Sequence, residues 1–68
     1  GEPIERSIDE LRERARTLVI KGMDLQKKEM YEEAMKAYRE SLAAFPDPKI
    51  VEHVEKLAVY MQSLKKQP

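Results

Sequence analysis

Residues 15–48 read ARTLVIKGMDLQKKEMYEEAMKAYRESLAAFPDP, and the fold turns on this stretch. Tyr31, Ala34, Met35, Tyr38, Leu42 and Phe45 recur at steps of three and four, which puts them on one face of a helix. Ala37 and Ala44, seven apart, form a second and flatter strip on the same segment. A flat strip admits another helix at close range, so this helix, expected over Tyr31–Phe45, is predicted to pack on two sides. Pro46-Asp47-Pro48 then closes it. A Pro cannot continue a helix, Asp47 can cap the next one, and Pro48 suits a first helical position, where no amide hydrogen is needed. Upstream, Ala15, Leu18, Val19, Gly22 and Leu25 share one stripe of a preceding helix.

Working outward, the same stripe continues back through Leu11, Ile8 and Ile4, so the first helix is predicted from Ile4 to Lys28. Pro3 fits its first turn, and Ser7 with Glu10 has capping-box spacing that allows a start near Ser7. Downstream, Ile50, Val54, Leu57, Met61 and Leu64, widened by Val51 and Ala58, define a third helix over Pro48–Lys65. Short connections force antiparallel neighbours. The expected fold is all-α, an up-down-up bundle of three helices in one domain spanning 4–66. Its core is drawn from Ile8, Leu11, Leu18, Leu25, Tyr31, Tyr38, Leu42, Val54, Leu57 and Met61. Met35 and Met61 also lie on inner faces and read as core filler.

Composition narrows the function. A chain of 68 residues buries only about 60% of its unfolded surface, so its stability rests on close helix packing, a partner or a larger parent. There is no Cys, which removes disulfides and thiolate sites and suits an intracellular setting, cytoplasmic or nuclear. One His, His53, cannot build a zinc site, and no cofactor is expected. Thirteen basic residues balance thirteen acidic ones. They are interleaved, as on solvated helix faces, without the basic excess of a nucleic-acid module. No apolar run approaches the length of a membrane span.

Residues 15–48 resemble a tetratricopeptide repeat, whose period is 34 residues. Leu18, Gly22, Leu25, Tyr31, Ala34, Tyr38, Ser41 and Pro46 stand in the order and spacing of that pattern. Gly22 opposite Ala34 lets two helices approach, Tyr31 and Tyr38 fill the space between them, and Ser41 keeps the contact small. Helix 3 would then be a capping helix, over 48–65. Lys21 and Leu25 depart from the pattern, and Glu29 stands where the turn usually has Gly. A left-handed non-Gly residue costs about 1–2 kcal/mol, so the turn is expected to be built in another way. Leu18-Val19, Lys21, Asp24-Leu25 and Tyr31-Glu32-Glu33-Ala34 are also similar to MIT (microtubule interacting and trafficking) domains, three-helix relatives whose second helix is nearly two turns longer.

Both resemblances imply protein binding. In a tetratricopeptide hairpin the inner face of the first helix takes a peptide or partner helix, here Arg16, Val19, Met23, Gln26 and Lys27. One subclass clamps the C-terminal carboxylate of chaperones with Lys and Asn. Val19 and Met23 stand at those places, so that ligand is not expected. An MIT-type reading implies membrane-trafficking partners, taken as a helix in the groove of helices 2 and 3 or as an extended segment against helices 1 and 3, with Ala37, Ala44, Val59 and Tyr60 as the alternative surface. A third expectation is a homodimer through the near-heptad stripe Ile4, Ile8, Leu11, Ala15 and Leu18.

An enzyme is not expected. Ser41, Ser63, His53 and several carboxylates are formally available, but there is no Gly-rich elbow or oxyanion loop. Glu32 and Glu33 are adjacent on a helix and diverge by about 100°. His53 beside Glu52 reads as a surface residue. Ile20, Val59 and Tyr60 have no internal use in the pattern.

Overall fold

The computed structural model describes residues 3–66, with side chains from Ser7 onward. It is all-α, with α1 over Pro3–Lys27, α2 over Tyr31–Ala44 and α3 over Pro48–Lys65. The three run antiparallel in sequence, each within a residue or so of its expected bounds.

The first connection shows how the chain reverses. Glu29 takes φ 63°, the left-handed conformation. The Met30 amide donates to the Leu25 carbonyl at 2.9 Å and the Glu29 amide to the Gln26 carbonyl at 2.9 Å. This is the paired closure that terminates a helix when one residue turns left-handed. The expectation that Glu29 would force a different turn is therefore corrected. The turn is of the usual kind, and Glu29 bears its strain because two carbonyls of α1 gain donors. Met30 also starts α2 by accepting from the Ala34 amide at 2.9 Å. No side chain caps α2. Glu32 and Glu33 in its first turn offset the positive end of the helix dipole instead.

The second connection is set by Pro. A residue that precedes Pro is pushed out of the helical region, and Phe45 lies at φ −156°, ψ 110°. Asp47 caps α3, its Oδ1 accepting from the Lys49 amide at 2.9 Å, with Pro48 at the first position.

α2 is the central element. Along α2, Ala34, Ala37, Ser41 and Ala44 share one stripe, and the Ser41 hydroxyl donates to the Ala15 carbonyl at 2.9 Å. That stripe therefore faces α1. Met35 and Tyr38 join Leu57 of α3 in a buried cluster that also holds Ala34. Val19, Leu25, Ile50, Val54 and Met61 close around it, half-buried. Among the described residues no Cα of α1 comes within 8 Å of one in α3.

The core is smaller than expected and shifted toward α2. Ile8 and Leu11, expected inside, are 40% and 42% exposed. Their positions on α1 lie beyond the end of α2, which runs out level with Arg12, where the guanidinium sits 5.2 Å above the Phe45 ring. The side chain of Ile4 lies outside the described residues. The atoms nearest to Gly22 belong to Tyr38. A Cβ there would lie 2.7 Å from Tyr38 Cε1, so the missing side chain makes room for an aromatic ring.

Candidate functional site

Two helices whose backbones stay apart while both lean on a third leave a trough between them. All five residues expected on the binding face of α1 line it. Arg16 and Val19 border a cavity of about 660 Å³ that Ile50 of α3 and Phe45 close from the opposite side. Met23, Gln26 and Lys27 border a smaller hollow of about 270 Å³ with Tyr38 and His53. Val19 and Ile50 are half-buried and form an apolar floor, while Met23 is 50% exposed at the rim. Arg16 stays on the surface near Glu13, at 3.8 Å. An exposed pair of this kind contributes little to stability.

A polar contact joins all three helices beside that floor. Gln26 Oε1 accepts from the Tyr38 hydroxyl at 2.8 Å and meets His53 Nε2 at 2.9 Å. The Tyr38 and His53 rings stand edge to face, 5.0 Å apart at 80°. Burial pushes the Tyr38 hydroxyl above its ordinary range, since an anion there would lose its water. His53 is thus half-buried and bridging, which corrects its reading as a surface residue. The signal was present in the sequence: His53 falls three after Ile50 and four before Leu57, on their face of α3.

The alternative surface does not assemble into one patch. Ala37 is 3% exposed and lies under α1 with the rest of its stripe, so it offers nothing to a partner. Ala44 is half-buried on the same stripe. The flat strip on α2 is used within the chain. Val59 is 70% exposed on the outer side of α3. Tyr60 is 47% exposed, its ring edge-on to Tyr31 at 5.4 Å. Ile20, at 60%, belongs to α1 and stands apart from both. The α2–α3 side does carry a hollow of its own, about 370 Å³, edged by Met35, Ala58 and Met61 with Arg39 and Lys65.

The formal Ser–His set is not brought together. The Ser41 hydroxyl is buried and committed to the Ala15 carbonyl, whereas His53 faces Gln26. Among the described residues no group of three His, Cys, Asp or Glu is placed to hold a metal ion. Among them too, no helix is long and apolar enough to cross a membrane.

No family model, curated protein or solved structure matches the chain.

Proposed function

We propose that this chain is a protein–protein interaction module of tetratricopeptide type, part of a larger intracellular adaptor, which takes an extended peptide or a partner helix in the trough between α1 and α3. The observation that carries this reading is that the five residues fall on two hollows between α1 and α3, Arg16 and Val19 with Ile50 around one, and Met23, Gln26 and Lys27 with His53 around the other. The first hollow has an apolar floor of Val19 and Ile50 and a charged rim that includes Arg12, Glu13 and Arg16. That combination suits anchoring by a few apolar side chains, with orientation supplied by polar contacts at the edge. The apolar character of Val19 and Met23 argues for an internal segment as ligand and against a C-terminal carboxylate.

The trough is small, so affinity rests on few anchors. Micromolar binding, about −8 kcal/mol, is the expected scale. The test is selection of peptides on the intact chain, followed by a backbone amide NMR titration. Shifts centred on Val19, Met23 and Lys27 support the reading. Shifts confined to α2 and α3 sink it. They would favour the second reading, an MIT-type module that recruits membrane-trafficking partners to the hollow edged by Met35, Ala58 and Met61.

A further inference from the structure

The uncovered start of α1 has a shape and a charge order that specify what covers it. Ile8, Leu11, Ala15, Leu18, Gly22 and Leu25 are spaced alternately by three and four, one unbroken heptad seam. α2 covers that seam only from Ala15 onward. Ala15 is 8% exposed, while Leu11 and Ile8 one and two turns back are 42% and 40% exposed. The seam therefore continues past its internal partner for about 18 Å, the rise of the twelve residues from Pro3 to Arg14.

We propose that a second copy of this chain completes the seam, its α1 lying antiparallel so that Ile8 of each copy meets Leu11 of the other. The flanking charges select this register. In it, the sequence positions of Glu5 and Arg12 face each other twice across a two-fold axis, and Ser7 faces Arg14 twice. Sliding one heptad step toward the N-terminus sets Glu5 against Glu5. A slide the other way sets Arg12 against Arg12 and Arg14 against Arg14. A parallel pairing brings no opposite charges together. Like charges directly opposed are destabilising, and complementary ones set orientation. Arg12 already stands at the seam's margin, held above the Phe45 ring. The interface is isologous and closes at two copies. With few apolar side chains on each side it falls below about 1,000 Å² and binds weakly, with Kd on the order of 0.1–1 mM. Tethering in a larger parent would raise the effective concentration and make so weak a pairing productive. Val19 and Met23 take no part in this pairing, although Arg12 and Ala15 border both the seam and the larger hollow of the trough.

Sedimentation equilibrium of the full chain up to about 1 mM tests it. A monomer–dimer equilibrium is expected. Leu11→Asp should leave the helical circular dichroism and the unfolding midpoint nearly unchanged, because α2 does not cover Leu11, and should leave only monomer. Glu5→Arg should weaken association about fivefold by opposing Arg12, and Glu5→Arg with Arg12→Glu should restore it. A chain that stays monomeric at about 1 mM overturns the proposal. So do a dimer that survives Leu11→Asp in the folded variant, a double swap that fails to recover association, and assemblies larger than two.

Discussion

Gly22 and Tyr38 are fitted to each other: a methyl at position 22 would stand 2.7 Å from Cε1 and 2.8 Å from Cδ1 of the Tyr38 ring. The ring is 1% exposed and has nowhere to retreat without lifting α2 from α1.

Gly22→Ala is therefore expected to destabilise the fold, although Ala favours a helix by about 1 kcal/mol over Gly. The overpacking cost of about 1–3 kcal/mol outweighs that gain. Thermal unfolding should show a lower midpoint. An unchanged or higher one would mean that the ring yields easily.

Glu29→Gly should act in the opposite direction. Glu29 is held at φ 63° by the closure of α1. Gly accepts that conformation without a Cβ penalty of about 1–2 kcal/mol, less part of the gain lost to the freer unfolded chain. Urea denaturation should report roughly 0.5–1 kcal/mol of added stability with an unchanged slope.

Tyr38→Phe tests the contact with Gln26 and carries a pH signature. Below pH 10 the variant should lose about 1 kcal/mol, the net value of one hydrogen bond. In the native chain burial raises the Tyr38 pKa above its ordinary 10.0, so the folded state keeps its proton where the unfolded state loses it. The stability that Tyr38 contributes is complete below pH 10 and is lost as pH rises through the folded value. Unfolding measured from pH 8 to 11 should show the two curves converging at the alkaline end. A constant gap would contradict the burial effect.

Val19→Glu places a charge on the floor of the trough, and Val59→Glu places one on the outer side of α3. The first should abolish binding of a selected peptide or weaken it at least about tenfold, and because Val19 also packs on the core it should lower the unfolding midpoint, so binding is read well below that midpoint. The second should leave that binding unchanged. Equal losses in both would dissociate binding from the trough.

The helices were legible because Pro46, Asp47 and Pro48 state their limits locally and because the apolar steps of three and four continue through each segment. The trough was legible in part. The tetratricopeptide resemblance implied Arg16, Val19, Met23, Gln26 and Lys27 as one face of α1, but a face becomes a trough only when a second wall is known, and Ile50 and His53 come from another helix. The strip of Ala37 and Ala44 packs against another helix as its flatness implies, and for that reason Ala37 is withdrawn from the alternative partner surface. A small-residue strip says that something approaches closely, and only the fold shows that α1 is what approaches. Ile8 and Leu11 belong to the right stripe yet lie outside the core. Periodicity records which way a side chain points along a helix, and it does not record where the neighbouring helix stops.

The separation of α1 from α3 has a mechanical consequence. α3 rests on α2, and the contact between Gln26 and His53 ties it to α1. Its hold on the rest of the fold is local: Leu57 packs into the buried cluster, the Gln26–His53 contact reaches α1, and Pro46-Asp47 is the backbone link. The hairpin of α1 and α2 has a seam of its own, through Gly22 against Tyr38 and Ser41 against Ala15, that needs nothing from α3. Amide exchange should accordingly be faster in α3 than in the paired stretches of α1 and α2, and it should slow when a ligand bridges α1 and α3.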